Sequence, residues 1–462
     1  MKKTYYDKLT AKYEKELMKS LSEFTAINST YDEETVSKEN PFGLGVSHAL
    51  QYIASLASKD GFEVTNYDNK IVEILYGKGK KNLTILAHAD VVPAGTTGWE
   101  QDPFTLTEKK GVLYARGVAD DKGPLLATYY ALKALKDNNE LDDGYQIRFL
   151  VGGNEESGSL GVEHYFHDLK KPQPTLGFSP DSNFPLIFAE KGIINFKVTY
   201  RLKKKYKGFI SLKGGTAANA VIDKCDIKCE VNPDIIAYIT KNYRRSEALI
   251  YTSEDLTTIS FLGKSAHGST PEAGLNAGMN ALKALAEFYQ DNELMDIVKM
   301  YMPLDAKGYK CNAKNKEMGI NTSNVGLISL QNGKLEMVVN FRYVNGCKES
   351  ELIKKIKKVN SNGKVEILST NGILYFKKDS VLISTLLKSY QDETGDLKSQ
   401  PLAIGGGTYA KEVKNTVAFG MEFPGWDSHM HSPGESVKRS DLIKAMAIYA
   451  RAIKDLGERL KK

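Results

Sequence analysis

Five short segments, spread from His88 to His431, constrain this chain more than any other feature. They hold His88 and Asp90 in ILAHADVV, Asp120 in ARGVADDKG, Glu155 and Glu156 in GGNEESGS, Asp181 in FSPDSNFP, and His431 in SHMHSPGE. Two imidazoles plus several carboxylates, each in a Gly-rich or turn-rich frame, are what a site for two divalent metals needs. Any fold that builds it must bring far-apart acids and imidazoles into one pocket. One carboxylate can bridge the ions and another can stay free to move a proton, which points to metal-assisted hydrolysis.

At 462 residues the chain is too long for one typical core and suggests two domains or three. With 41% hydrophobic and 26% charged residues, disorder is not favoured. The net charge of +6 is modest for this length. Lysines cluster at Lys203–Lys205 and at Lys354, Lys355, Lys357 and Lys358, which read as solvated faces of a strand and a helix. Arg and aromatics do not interleave along any element, so no nucleic-acid partner is expected. Cys225, Cys229, Cys311 and Cys347 lack metal-knot spacing and read as free thiols in a reducing compartment. The start, MKKTYYDKLTAKYEKEL, has no apolar stretch of signal-peptide type. No run approaches eighteen apolar residues, so no membrane span is expected. The expected location is the cytoplasm.

Periodicity predicts helices over Tyr5–Phe24, His48–Ser58 and Leu125–Leu135, and strands over Lys70–Tyr76, Asn82–Ala87 and Tyr145–Val151. Strands alternating with helices point to an α/β layer whose strand ends gather the polar segments. After Asp181 the texture becomes α+β. Strands are expected over Ile193–Tyr200, Phe209–Leu212, Leu256–Leu262 and Glu336–Tyr343, with helices near Asn276–Tyr289 and Glu349–Val359. Helices at Ser380–Asp392 and Lys438–Leu456 return the chain to the first layer. The fold expected is an α/β domain, 1–188 with 389–462, holding a central mixed sheet flanked by helices. A large α+β insert, 189–388, is expected to form two subdomains.

If ILAHADVV stays extended, His88 and Asp90 share a face, with His88 on a metal and Asp90 orienting its ring. Asp120 is the candidate bridge, and Asp121 stands where a helix cap would. Glu155 and Glu156 are neighbours and cannot serve one ion alike, so Glu156 ligates and Glu155 shuttles protons. His429 and His431 also share a face if extended, and spacing does not choose between them. His48, His164 and His167 carry no ligand-like frame.

Together these segments resemble the aminoacylase and carboxypeptidase G family of di-metal peptidases, closest to its dipeptidase V branch of Xaa-His, carnosinase-like dipeptidases. The likeness runs from INSTYDE and PFGLGVSHAL to HSPGE. It implies a first metal on His88, Asp120 and Asp181, a second on Asp120, Glu156 and His431, and Glu155 as general base. The family's ligand histidine has a Glu four positions on, as His431 has Glu435, which selects His431 over His429. A cis bond between Asp120 and Asp121 is also implied.

The resemblance extends into the insert, which it makes a lid. His267 in GKSAHGSTPEAGLNA resembles a histidine that stabilises the tetrahedral intermediate, and Asn219 in GGTAANAV an asparagine with a related task. Arg342 in NFRY looks like the clamp for a substrate carboxylate, a role its planar fork suits. Gly405, Gly406, Gly407 and Thr408 would add backbone donors near that group. The lid is of the long kind, which implies a monomer. GGTAAN has small residues where the family usually has an Arg-type neighbour, which bears on substrate preference.

The expected activity is hydrolysis of short peptides, dipeptides with a free C-terminal carboxylate above all. Zinc suits imidazole and carboxylate donors first, and such a set also accepts manganese or cobalt. Two rivals use the same residues: an N-acyl amino acid deacylase of desuccinylase type, and a catalytically silent binding protein. The long lid speaks against the first. Retention of Glu155 and His267 speaks against the second.

Overall fold

Strand–helix alternation is borne out in a computed structural model that describes residues 3–461. Met1 and Lys2, part of the start discussed above, lie outside the described residues. The chain divides into two units. One runs through Phe188 and resumes as Phe376–Leu402 and from Thr408 onward; the other is Ala189–Tyr375 with Ala403–Gly407.

In the first unit the sheet order is Glu63–Tyr67, Ile71–Tyr76, Gln146–Gly152, Asn82–His88, Leu176–Ser179 and Thr416–Ala418. The first two pairings are antiparallel and the next three parallel, so the sheet is mixed. Every residue of Asn82–His88 is buried, as a strand with parallel neighbours on both sides requires. Helices Lys122–Asp137 and Arg439–Leu460 bury Leu125, Leu132, Ile448, Ile453 and Leu456. The parallel register sets His88 opposite Gly152, and Ser179 Oγ donates to the Leu86 carbonyl at 2.6 Å. Three carboxyl ends therefore finish together, the edge where open α/β sheets place their sites. The N-terminal helix is interrupted: Tyr5–Thr10 and Glu14–Thr25 flank a 3-10 turn at Ala11–Tyr13.

The second unit is built on one eight-stranded sheet, antiparallel throughout. Where two subdomains were expected, this sheet runs from Gly192 to Asn371 over one core that includes Phe196, Ile227, Leu282 and Val339. The helix Val381–Thr394 falls in the first unit, so the insert ends at Tyr375 and not at 388. Arg451 anchors that helix to the C-terminal one through Asp392 and Glu393, at 2.5 and 3.3 Å. Lys203–Lys205 are exposed in the turn after strand Gly192–Arg201, not on a strand, whereas the second lysine cluster lies on helix Glu349–Val359. All four cysteines are unpaired. Among the described residues no helix is long and apolar enough to cross a membrane.

Candidate metal centre

The five segments meet in the first unit. His88 ends its strand, Asp120 lies in the loop before helix Lys122–Asp137, and Glu155 and Glu156 occupy the turn after Gln146–Gly152. Asp181 follows Leu176–Ser179, and His431 lies in the loop before Ser436–Lys438. Donor atoms of His88, Asp120 and Asp181 fall within 4.8 Å of one another, as do those of Asp120, Glu156 and His431. A third grouping, His88 with Glu155 and Glu156, meets the same limit.

Asp120 stands between the two imidazoles. Its Oδ1 is 3.0 Å from His88 Nε2 and its Oδ2 is 2.8 Å from His431 Nε2. His88 Nε2 is also 3.8 Å from Asp181 Oδ2, and His431 Nε2 is 3.2 Å from Glu156 Oε1. His429 is instead 3.9 Å from Asp427 and largely exposed. The Asp120–Asp121 peptide bond is cis.

The strand stops at His88, so Asp90 does not share a strand face with it. His88 Nδ1 is 3.0 Å from the Asp90 main-chain carbonyl and 3.4 Å from Oδ1. The Asp90 carboxylate also accepts the backbone N–H groups of Glu155 and Glu156, both at 3.1 Å. Asp121 occupies the cap position without capping; its Oδ2 accepts the His88 N–H at 3.1 Å. Gly152 is fixed by packing, since a Cβ there would lie 1.9 Å from Tyr409 Oη. That tyrosine is buried, with its ring edge-on to His88.

Four carboxylates crowd around two imidazoles. Burial, with the charges of Asp120 and Glu156, pushes Asp181 up to about 7. Burial raises Glu155 as well, with Asp181, Glu156 and Asp120 adding to the shift. Burial would raise Asp120 too, but hydrogen bonds with His431 and His88 outweigh it and lower its pKa. The same bonds from Asp120 and Glu156 hold His431 up at about 11. A divalent cation relieves carboxylate repulsion of this kind. The imidazole and carboxylate donors suit zinc, and also manganese or cobalt. The residues therefore fit a metal pair.

The insert residues gather in the second unit. Ala220 and His267 form an antiparallel bridge, and the Asn219 carbonyl accepts the Gly268 N–H at 2.6 Å. Arg342 is buried; its Nε donates to Asn340 Oδ1 at 2.8 Å and its Nη1 to the Gly405 carbonyl at 2.5 Å. Gly406 and Gly407 follow in the same unit, and Thr408 begins the return to the first. Asn219 and His267 are exposed.

Sequence reasoning gave no role to Lys122 or Arg116, and used Glu435 only as a family mark. Lys122 is buried, and its Nζ donates to the carbonyls of Phe24 and Ile27 at 3.0 and 2.7 Å. Burial pushes its ammonium down to about 7. His164, read as a surface or helix residue, lies in the helical turn His164–Asp168 and is buried between Asp168 at 2.9 Å and Asp68 at 3.0 Å. The signal for Lys122 and Arg116 was two basic residues flanking the acid pair Asp120–Asp121 in a Gly-rich frame.

Residues 84–455 match the description "Peptidase family M20/M25/M40". The chain belongs to this family. It is 34% identical to "Putative dipeptidase YtjP" of Bacillus subtilis over 96% of this chain and 97% of that one. It is 33% identical to "Putative dipeptidase SH1171" of Staphylococcus haemolyticus, over 96% and 97%. Human carnosine dipeptidase 1 shares the fold at TM-score 0.56 and 17% identity, covering 98% of this chain and 99% of that one. Aminoacylhistidine dipeptidase from Vibrio alginolyticus does so at TM-score 0.53 and 15%, covering 96% of each. As a member of peptidase family M20/M25/M40, the chain is a hydrolase of peptides from a metal-dependent family, with the α/β architecture expected of it.

Proposed function

We propose that this peptidase cleaves short peptides, dipeptides with a free C-terminal carboxylate above all, at a centre for two divalent ions. One observation carries the reading: the two oxygens of Asp120 face different imidazoles, at 3.0 and 2.8 Å. His88, Asp120 and Asp181 would hold one ion, and Asp120, Glu156 and His431 the other. We assign zinc first, with manganese and cobalt as alternatives that elemental analysis of untreated protein distinguishes. Bound ions of this kind supply Lewis acidity and make a nearby water nucleophilic at neutral pH.

Glu155 accepts the proton of the attacking water on its carboxylate and passes it to the leaving amine. Asp90 fixes the backbone of the Glu155–Glu156 pair through its two N–H bonds. His267, with Asn219, would stabilise charge developing on the carbonyl oxygen. Arg342 would hold the substrate carboxylate, with Gly406, Gly407 and Thr408 adding donors. The long insert supplies His267, Asn219 and Arg342 within the same polypeptide as the metal-type residues, so we take the monomer as the working form. The unpaired cysteines suit a cytoplasmic setting.

Glu155→Gln tests the base. Metal content should stay at the wild-type level while dipeptide turnover drops by about 10²–10⁴-fold. Near-normal hydrolysis by that variant rejects the assignment.

A further inference from the structure

Glu435 lies outside both metal triads, yet its carboxylate meets the Asp120 loop at four points. Oε2 accepts from Arg116 Nη1 at 2.5 Å and from the Gly117 N–H at 3.1 Å. Oε1 accepts from the N–H groups of Ala119 at 2.9 Å and of Asp120 itself at 3.2 Å. Sheet register explains the meeting. Ser436–Lys438 pairs antiparallel with Val112–Tyr114, Ser436 opposite Tyr114, so Glu435 lies beside the chain that leaves Tyr114 toward Asp120. The same short segment carries His431 four residues earlier.

Both charged partners are out of solvent, Glu435 at 0% and Arg116 at 1% exposure. Arg116 is held in turn. Its guanidinium carbon is 5.4 Å from the Trp99 ring centre, and Nη2 is 3.4 Å from the Pro93 carbonyl. A buried ion pair adds little stability over an apolar pair of the same volume. What a carboxylate with four converging donors does give is a fixed geometry. Groups that orient metal-binding side chains from outside the coordination sphere commonly govern affinity.

We propose that Glu435, steadied by Arg116, is a positioning residue that locks the Asp120 loop to the His431 loop and so sets the spacing of the Asp120–Glu156–His431 triad. The proposal rests on the two-ion reading above. Asp120 serves both triads and His431 one, so the ion of the His431 triad should depend on Glu435 more than the other.

The test is zinc titration of the full-length metal-stripped chain by calorimetry, alongside thermal unfolding of the metal-free form. Wild type should take two zinc ions. Glu435→Gln should bind one zinc of the pair about 10–100-fold more weakly, with a smaller loss at the other. A variant that unfolds earlier when metal-free but binds both ions as wild type does would assign Glu435 to fold stability alone and overturn the proposal. If Glu435→Gln does not fold, Arg116→Lys is titrated instead. It keeps the charge and loses the planar fork, so selective weakening of one zinc is again expected, and unchanged affinities overturn the proposal. Wild type that takes fewer than two zinc ions breaks the underlying reading and the proposal together, an outcome distinct from failure of the variants alone.

Discussion

In the first unit Asp120, Glu155, Glu156 and Asp181 crowd around two imidazoles. In the second, the buried Arg342 guanidinium bonds the Asn340 amide and the Gly405 carbonyl, and Lys191 is buried as well. Burial alone pushes the Arg342 guanidinium down to about 10. Burial also lowers Lys191; Glu272 opposes the shift and Arg342 adds to it. Lys191 Nζ donates to the Ile320 carbonyl at 2.6 Å. The cluster around Asp120 therefore collects negative charge and Arg342 brings positive charge where solvent is excluded, a costly state that an opposite charge relieves. The acidic cluster suits cations and the basic one suits a carboxylate. On the function proposed above, the metals would be held by the first and the substrate's free C-terminus by the second.

The largest expected effect breaks the acidic half. Asp120→Asn removes an anionic donor from both triads, so zinc affinity should fall at both positions. Turnover should drop by at least the roughly 10²–10⁴-fold that loss of proton transfer alone costs. A ligand at about 100 times its dissociation constant stabilises a fold by about 2.7 kcal/mol. Saturating zinc should therefore raise the unfolding temperature of wild type and leave that of Asp120→Asn nearly unmoved. Full zinc stoichiometry in the variant contradicts the bridging role.

The next effect breaks the basic half. Arg342→Lys keeps the charge but loses the fork that bonds Asn340 and the Gly405 carbonyl. Hydrogen bonds to charged groups contribute about 1.5–3 kcal/mol, so KM for dipeptides should rise by about 10–100-fold. Zinc content should not change. A substrate whose C-terminal carboxylate is amidated should lose the distinction between wild type and variant. An unchanged KM on free dipeptides rejects the clamp.

The two halves were not equally legible in the sequence. The acidic segments fall at strand ends, and strands such as Asn82–His88 announce themselves as apolar runs. Short frames around each acid or imidazole were enough to pick out the cluster. What failed was local geometry. Asp90 lies beyond the strand end, and besides facing His88 Nδ1 its carboxylate accepts the Glu155 and Glu156 N–H groups, which strand periodicity could not foresee. Glu435 reaches the Asp120 loop only because Ser436 pairs with Tyr114, a register between distant segments that no local pattern encodes. In the second unit, strand Thr322–Gln331 went unread beside Lys334–Tyr343. The first of these carries Asn324 and Ser323 in its buried interior, and such polar residues hide a strand from an apolar count.

The smallest effect probes how Arg342 is held. Asn340 lies two residues earlier on the same strand and is 1% exposed. Its Oδ1 accepts from Arg342 Nε, and its Nδ2 donates to Asn195 Oδ1 at 2.7 Å. An amide is neutral, so it aims the guanidinium without neutralising it, which an aspartate at this position would do. Asn340→Ala removes the aim and keeps the charge. A hydrogen bond to a charged group contributes about 1.5–3 kcal/mol, and loss of this one alone should cost the low end, so KM should rise by about tenfold while kcat and zinc content hold. Asn340→Asp should be worse than Asn340→Ala, because its carboxylate would pair with Arg342 and compete with the substrate's own. If the alanine variant proves the poorer of the two, charge pairing is not what limits Arg342, and the contrast between an acidic and a basic half loses its functional meaning.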